Sequence, residues 1–440
     1  MDFLLAVRIV DGPVVVIVFV LACAGLGFLC FRRVHRWAVV AAGAASVGVL
    51  GGAMGLWLIE GVFNVFGTSL GWQTRVWILA LSTAVGLAGA NWWKSAPRRK
   101  IAAAGASLVF LLAAGLGVNA HYGFHSTVAS LAGISLVKPI NLQPQPTAPA
   151  LQRPRGAGAD DVGAHWAPPP GMPETGTTGT QVIPSPASGF SSRPAGIYLP
   201  PAALVPDPPS LPLVVLMMGQ PGNPDPQFVA AVLDKYAAEH RGLAPIVIVA
   251  DQLGNPLVDS LCLDTPVYGN VETFINKDVL VWATTHLNVI NDPRYRTIAG
   301  YSNGGQCAIS FAAKYPQLWG NVLDISGEEY PGAEHPDTTL REIFGGNQIA
   351  YDRQKPVNIL HGHHYPDTTA ILTVSNDDPV YVDAARKVDD AATSAGMAVT
   401  YIEIPNAGHV IGALNGGLHE GFRVLYPRLG LTQTARATQK

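Results

Sequence analysis

The strongest constraint on folding is the concentration of apolar residues before residue 121. The chain of 440 residues is 48% hydrophobic and only 13% charged, which is too apolar for an average soluble protein. The excess forms four stretches, each close to the roughly 20 residues that a helix needs to cross a bilayer. These stretches are residues 13–31, 37–59, 76–93 and 101–120. We therefore predict a transmembrane region with four helices over residues 1–120.

Basic residues fill the first and third connections between these stretches, whereas the second connection is nearly uncharged. The basic residues are Arg32, Arg33, Arg36, Lys94, Arg98, Arg99 and Lys100. Under the positive-inside rule both basic connections are cytoplasmic, so everything after residue 120 is expected to be extracytoplasmic. Because no charge falls deep in a stretch, transport is disfavoured and anchoring in the lipid bilayer is the simplest role.

The remaining chain divides by composition into three parts. Residues 121–177 are rich in proline, glycine, alanine and threonine, a composition that builds no core and predicts an extended extracytoplasmic linker. Residues 178–430 contain strand-like and helix-like runs and form the predicted globular domain. Residues 431–440 form a polar C-terminal tail.

A serine between two glycines stands where a strand-like run gives way to a helix-like run. Gly300-Tyr301-Ser302-Asn303-Gly304 follows residues 295–299 and precedes a helical pattern that stops before Pro316. On such a turn the glycines allow close backbone approach, and the serine hydroxyl projects freely. A second Gly-x-Ser-x-Gly match, at Ser69, has neither flanking element. Ser302 is therefore the candidate nucleophile, and Ser69 is interpreted as a chance match.

A serine hydroxyl needs a base to remove its proton and an acid to orient that base. Downstream of Ser302, one strand-like run ends at Asp377 and Asp378, and a later one ends at His409. The order serine, acid, histidine suits this chemistry. Asp378 is the preferred acid because Pro379 after it begins a helix-like run, and Asp377 is the alternative.

Two N–H groups are needed to stabilise the anion that forms at an attacked carbonyl. Asn303, directly after the serine, is the candidate for the first donor. Gln220, in the Gly/Pro loop after the apolar run 212–218, is the candidate for the second. Tyr301 and Glu328 are candidate substrate contacts, since Glu328 follows the next strand-like run and its carboxylate suits a cationic group. The alternatives are an ordinary Pro/Gly turn at Gln220 and a solvated acidic loop at Glu328.

These residues together resemble the putative-esterase branch of the α/β-hydrolases, which includes esterase D-like enzymes and the actinobacterial mycolyltransferases. The similarity covers about residues 176–430 and includes the stretch 269–280. It implies an α/β-hydrolase fold, with a mostly parallel central sheet and helices on both faces, and serine chemistry without a cofactor. Gly304 is typical of hydrolases rather than mycolyltransferases, which favours hydrolysis. The loop at Gln220 departs from the family because it lacks a His-Gly start.

The cysteines fall into two pairs. Cys262 and Cys307 lie in the region expected outside the membrane, where disulfides persist, so we predict that they bond to each other; the alternative is two buried thiols. Cys23 and Cys30 lie within the first apolar stretch. The histidines at 361, 363 and 364 lack a second set of ligands nearby, and no metal site is expected there.

The sequence thus predicts a membrane-anchored extracytoplasmic serine esterase that cleaves a lipid or cell-envelope ester, with aminoacylated lipid included if Glu328 binds an amine. Two alternatives stay open. One is an acyltransferase that passes the acyl group to a sugar or lipid alcohol, and the other is an inactive hydrolase fold that acts as a binding module. The net charge of −3 argues against nucleic-acid binding, which needs a basic surface. The oligomeric state is not predicted.

Overall fold

The chain divides into two compact units. Unit 1 covers Met1–Leu136 and unit 2 covers Val137–Lys440. The computed structural model describes residues 2–63, 65, 70–123, 125–131, 137–142 and 162–433. Ser69, the central part of the predicted linker and most of the predicted C-terminal tail lie outside these residues.

Unit 1 is helical throughout its described elements. The helices are α1 Asp2–Leu5, α2 Pro13–Cys30, α3 Trp37–Trp57 with a π-helical continuation over Leu58–Val62, α4 Trp72–Ala90, α5 Pro97–Tyr122 and α6 Val128–Leu131. Within the described part of the chain, three helical segments are long and apolar enough to cross a membrane, namely Pro13–Cys30, Trp37–Val62 and Pro97–Tyr122.

The prediction of four membrane-crossing helices therefore needs one correction, at the third stretch. Residues 76–93 were predicted, but the helix there is α4, which begins earlier, at Trp72, and ends at Ala90. Its first turn contains Gln73 and Arg75, and these polar residues reduce its apolar character. Arg75 Nη2 pairs with Glu60 Oε2 at 3.0 Å, so the charge at the start of α4 is partly neutralised.

The two basic connections of unit 1 meet at one end of the helices. Arg32 Nη2 donates a hydrogen bond to the carbonyl oxygen of Lys94 at 3.0 Å. Arg99 donates through Nη2 to the carbonyl oxygen of Phe31 at 3.1 Å and through Nε to the buried Asn91 Oδ1 at 2.6 Å. The contact with Phe31 satisfies a carbonyl group just after the end of α2, which has no partner within the helix. Together, these contacts tie the end of α2 to α4 and α5.

The described part of unit 2 contains an eight-stranded sheet and a separate two-stranded sheet. In chain order, the strands are β1 Thr177–Gln181, β2 Ala195–Leu199, β3 Leu213–Met217, β4 Ile246–Ala250, β5 Asp264–Thr265, β6 Gly269–Asn270, β7 Arg296–Tyr301, β8 Asn321–Ile325, β9 Thr369–Ser375 and β10 Ala398–Ile404. The helices are α7 Val162–His165, α8 Gln227–Glu239, α9 Val271–Thr273, α10 Leu280–His286, α11 Asn303–Lys314, α12 Pro336–Glu342, α13 Gln348–Asp352, α14 Pro356–His361, α15 Pro379–Ser394 and α16 Ile411–Arg428. Short 3₁₀ turns occupy Pro201–Ala203 and Pro293–Tyr295, and Phe274–Val279 is π-helical.

The sheet is mostly parallel. Its strand order is β1-β2-β4-β3-β7-β8-β9-β10, and β5 pairs separately with β6. β2 runs antiparallel to β1 and β4, while the pairs from β4 to β10 are parallel. The central strands are buried along their full length, as parallel strands covered on both faces should be. The predicted α/β architecture is confirmed.

Helices pack on both faces of this sheet, which the alternation of side chains along β8 makes clear. Asp324 faces α11, because a Cβ on Gly305 would lie 2.4 Å from Asp324 Oδ1. The next residue back, Leu323, faces α16, where a Cβ on Gly421 would lie 2.6 Å from its methyl carbons. α11 and α16 therefore cover opposite faces.

Two parts of the segment predicted as a linker pair with the globular part of unit 2. The N–H of Ile140 donates to the carbonyl oxygen of Thr180 at 3.2 Å, and the N–H of Thr180 donates to that of Lys138 at 3.1 Å. Further along, the N–H of Gly163 donates to the carbonyl oxygen of Gly430 at 2.8 Å. Residues 138–140 thus extend the sheet beside β1, where an edge strand offers unpaired backbone groups.

A disulfide joins Cys262 to Cys307, the pair that the sequence analysis selected. Their Cα atoms are 5.5 Å apart, and both side chains are buried. Cys262 lies in the loop after β4, and Cys307 lies in α11. The bond therefore fixes this loop against the helix that follows Ser302. Cys23 and Cys30 are free.

Replacing Cys262 and Cys307 together by serine is expected to lower the free energy of unfolding by about 2–4 kcal/mol, since the bond closes a long loop. The bonded residues are 45 apart in sequence. Thermal denaturation of the detergent-solubilised protein measures this. The Cys23→Ser/Cys30→Ser variant is the control and should melt with the wild type. Equal melting of all three proteins, or four reactive thiols in the denatured, unreduced wild type, would contradict the prediction.

We expect protonation of the buried Asp324 to favour the folded state of unit 2 in mild acid. Burial raises the pKa of this carboxyl group to about 7, and a hydrogen bond from the Gly327 N–H only partly opposes that rise. An unfolded aspartate titrates near 4, so between about pH 4 and 7 the folded state binds more protons than the unfolded state. The contribution of Asp324 to the free energy of unfolding therefore falls as the pH rises through this window.

We expect Asp324→Asn to remove this pH dependence. The variant should lose less Tm than the wild type between pH 5 and 7, as followed by intrinsic fluorescence during heating. Asp207→Asn, at an exposed position, is the control. If the Asp324→Asn curve runs parallel to the wild-type curve, the buried carboxyl group does not titrate as expected.

Candidate functional site

The candidate residues meet at the carboxyl edge of the parallel sheet. Ser302 follows β7, Asp378 follows β9 and His409 follows β10. In the sheet, β3 lies between β4, which follows it in the chain, and β7. The connections diverge between β3 and β7, and in open α/β sheets a crevice forms at such a switch point. Ser302 lies at this crevice.

The turn at Ser302 has a strained backbone and no room for side chains on its glycines. Ser302 has φ 55° and ψ −120°, in a region that residues with a Cβ rarely adopt. A Cβ on Gly300 would lie 1.9 Å from the carbonyl oxygen of Gly304, and one on Gly304 would lie 2.2 Å from that of Met217. Spatial exclusion therefore explains both glycines of the sequence pattern.

A continuous line of hydrogen bonds connects Ser302, His409 and Asp378. His409 Nε2 lies 2.8 Å from Ser302 Oγ, and His409 Nδ1 lies 3.1 Å from Asp378 Oδ2. With its proton on Nδ1, the imidazole donates to the carboxylate and presents an unprotonated Nε2 to the hydroxyl group. That arrangement allows Nε2 to accept the serine proton. Ser302 keeps 8% of its surface exposed.

Asp377, the alternative acid in the sequence analysis, contacts the backbone rather than the imidazole. Its Oδ1 accepts hydrogen bonds from the Gly408 N–H at 2.9 Å and from Ser375 Oγ. Burial raises the pKa of Asp377, but these hydrogen bonds outweigh burial and hold it below its usual value. Asp377 thus fixes the residue before His409, while Asp378 contacts the ring itself.

Two tyrosine rings stack on the imidazole of His409. The Tyr381 ring centroid lies 3.8 Å away with an interplanar angle of 22°, and the Tyr301 centroid lies 5.3 Å away at 27°. Tyr301, predicted to be a substrate contact, is only 2% exposed and lies against the histidine. Sequence reasoning missed Tyr381, although its position in the first turn of α15, just after Asp378, was an available signal.

The loop after β3 lies directly beside Ser302. A Cβ on Gly219 would lie 3.1 Å from Ser302 Cβ. Gln252, which is 2% exposed, holds this loop, because its Nε2 donates to the carbonyl oxygen of Met218 at 2.5 Å and to Asn303 Oδ1 at 3.1 Å. The segments that contain both candidate N–H donors, at Gln220 and Asn303, are thereby tied to one amide side chain. The sequence signal for Gln252 was its place just after β4.

Three acidic side chains lie around the same crevice. Asp259 Oδ1 accepts from Asn303 Nδ2 at 2.8 Å, and Glu334 Oε1 lies 3.5 Å from the Tyr381 hydroxyl group. Glu328, the predicted substrate contact, is 9% exposed. Burial, then the nearby carboxylates, raise the pKa of Glu328 well above its usual value. Burial also raises the pKa of Asp259 and Glu334. Sequence reasoning missed Asp259 and Glu334.

Residues 191–392 match the family model described as putative esterase. An uncharacterized protein of Corynebacterium glutamicum is 33% identical over 242 residues, which cover 52% of this chain and 55% of that protein. The chain thus spans about half the length of this curated relative.

Solved structures with a similar fold have low sequence identity. A ferulic acid esterase has 16% identity and a TM-score of 0.47, covering 58% of this chain and 99% of its own. An S-formylglutathione hydrolase of Agrobacterium tumefaciens has 16% identity and a TM-score of 0.49, covering 59% and 97%. MPT51 of Mycobacterium tuberculosis has 15% identity and a TM-score of 0.43, covering 57% and 99%.

The similarity to the putative-esterase family includes the central part of the sheet of unit 2. The matched segment contains the strands from Ala195 to Ser375 and the turn at Ser302. Residues 191–392, just under half of the chain, are therefore similar to the putative-esterase family.

Proposed function

We propose that this chain is a membrane-anchored, extracytoplasmic serine esterase that cleaves a lipid or cell-envelope ester through an acyl-enzyme. The observation that carries the proposal is the position of His409, within hydrogen-bond distance of both Ser302 Oγ and Asp378 Oδ2. The family match supports the broader assignment to esterase-type hydrolases.

In the proposed reaction, Ser302 Oγ attacks the carbonyl carbon of the ester while His409 Nε2 accepts the hydroxyl proton. Asp378 stabilises the imidazolium that results. The tetrahedral intermediate then breaks its bond to the alcohol oxygen, and His409 returns the proton to that oxygen. Water attacks the acyl-enzyme with His409 again as base, which releases the acid and regenerates Ser302.

The anion of each tetrahedral intermediate requires donors that are in place before the reaction. We assign these donors to the N–H groups of Asn303 and Gln220. Asn303 is the first residue of α11, so its N–H belongs to the helix terminus, where the dipole favours negative charge. The contacts of Gln252 with Met218 and Asn303 support the same assignment, since they connect the two donor segments.

The membrane part of the proposal rests on unit 1 alone. Its three long apolar helices support membrane association, and its basic connections lie together at one end. Charges at the other end are paired, as in Arg8 with Asp11 and Arg75 with Glu60. Under the positive-inside rule the basic end is cytoplasmic. Since α5 runs away from that end, the chain after Tyr122 would be extracytoplasmic.

Labelling with a fluorophosphonate tests the nucleophile. The detergent-solubilised wild type should become labelled, and Ser302→Ala should lose the label because the activated hydroxyl group is gone. Ser69→Ala, at the second Gly-x-Ser-x-Gly match, is the control and should label like the wild type. An unlabelled wild type, or label that persists in Ser302→Ala, would rule out Ser302 as the activated serine.

The two neighbouring aspartates should differ sharply in kinetics. Asp378→Asn is expected to reduce kcat/KM for p-nitrophenyl acetate by about a hundredfold to ten-thousandfold, because the amide no longer stabilises the imidazolium. Asp377→Asn leaves the ring contact intact and loosens only the loop before His409, so we expect a smaller loss. A larger loss with Asp377→Asn than with Asp378→Asn would reverse the assignment of the acid.

A further inference from the structure

We propose that Asp259, Glu328 and Glu334 form a pocket, called here the carboxylate pocket, that binds an ammonium group of the substrate. The esters cleaved at Ser302 would then carry a positive charge close to the scissile bond. This inference rests on the proposed esterase function and specifies its substrate class.

The carboxylate pocket adjoins both reacting side chains. On one side, Asp259 Oδ1 accepts the hydrogen bond from Asn303 Nδ2 at 2.8 Å, and Asn303 directly follows the nucleophile. On the other side, Glu334 approaches the hydroxyl group of Tyr381, whose ring stacks on His409 at 3.8 Å. A group bound among these acids would therefore lie near an ester held between Ser302 and His409.

Glu328 provides an independent indication of a ligand. Its side chain is 9% exposed, yet it forms no hydrogen bond or ion pair with any other residue that the structure describes. The next residue, Glu329, forms an ion pair with Lys387 Nζ at 2.6 Å. Burying a carboxylate without a partner is costly, and such a group either holds a proton or binds a cation.

The surroundings of the carboxylate pocket are acidic overall. Glu328 is influenced by Asp259 and Glu334, and these electrostatic effects add to burial in raising its pKa. The groups that act in the opposite direction when protonated are the imidazoles of His335, on Asp259 and Glu334, and of His409, on Glu334. A positively charged ligand would let these carboxyl groups ionise together, and their combined field would favour it over a neutral ligand of the same shape.

An ammonium group suits this arrangement chemically. It has three N–H donors, which reach acceptors on different sides, and hydrogen bonds between charged partners are about twice as strong as neutral ones. The charge has two possible origins in an ester. It lies on the acyl part of an aminoacyl ester, whose ammonium group has these N–H donors. It lies on the alcohol part of a choline-type ester, whose quaternary ammonium has no N–H group and would be held by its charge alone.

Matched pairs of esters test the carboxylate pocket and separate these two origins. Alanine p-nitrophenyl ester and p-nitrophenyl isobutyrate have the same shape but differ in charge on the acyl part. Acetylcholine and 3,3-dimethylbutyl acetate differ in the same way on the alcohol part. The kcat/KM of the full-length, detergent-solubilised protein is measured for each ester and divided by its uncatalysed rate, with Ser302→Ala as the background.

The wild type is expected to prefer the charged member of at least one pair by about tenfold or more, as is typical when a charged partner is desolvated. Glu328→Gln should lower that charged-to-neutral ratio about tenfold, because the amide has a similar shape and no charge. Glu329→Gln is the matched control, since Glu329 is paired with Lys387, and it should keep the wild-type ratio. The pair that shows the preference identifies the part of the ester that carries the charge.

If neutral esters are turned over and this turnover depends on Ser302, the esterase proposal stands. Either of two results would then overturn the carboxylate pocket. These are the absence of a charge preference in both pairs, or a Glu328→Gln ratio equal to that of the wild type. If no ester is turned over, the esterase proposal fails instead, and the carboxylate pocket is then tested by ligand binding. Stabilisation of Ser302→Ala protein by L-alaninamide but not by isobutyramide, lost on adding Glu328→Gln, would support it; equal thermal shifts would reject it.

Discussion

The strained turn at Ser302 depends on one close approach of backbone to backbone. Gly300 at the end of β7 and Gly304 in the first turn of α11 are so close that a single added methyl group would collide with a carbonyl oxygen. Such strain costs about 1–3 kcal/mol and persists only where the surroundings enforce it. Here the enforcement comes from the buried β7 and α11 on either side and from the hydrogen bond of the Ser302 N–H to Ile325, at 2.9 Å.

Around this turn, the loops after β3, β4 and β9 are held to neighbouring elements by hydrogen bonds or by the disulfide. Gln252 links the loop after β3 to α11, and the disulfide from Cys262 links the loop after β4 to the same helix. Asp377 links the loop after β9 to the residue before His409. Groups that must align to within a fraction of an ångström are thus fixed before a substrate arrives, which lowers the reorganisation needed in the reaction.

The position of a candidate site residue could be predicted from the sequence wherever its signal is local. Ser302, Asp378 and His409 each follow an apolar run, and parallel strands end at one edge, so their meeting there could be expected. Contacts between distant loops could not be derived in this way. Gln252 and Asn303 are far apart in the chain, and periodicity reveals which face of an element is buried but not which polar groups of two loops meet.

Unit 1 shows the same difference between what local sequence patterns reveal and what contacts between distant residues decide. Apolar length alone identified α2, α3 and α5, but the polar first turn of α4, with Arg75 paired to Glu60, breaks the simple pattern. In unit 2, the burial of Tyr301 against His409 depends on where α15 and β10 bring other residues. The contact of Tyr301 with His409 therefore becomes visible only once the strands are assembled into the sheet.

The pairing of residues 138–140 with Thr180 also bears on how the sheet avoids unwanted association. The outer edge of β1 would otherwise present free N–H and carbonyl groups to another chain. The segment that covers it contains Pro139, which has no N–H group to donate to a further strand. The stretch that leads into the globular domain thus also terminates its sheet, and a chain shortened to begin at β1 would expose an edge able to recruit a second copy.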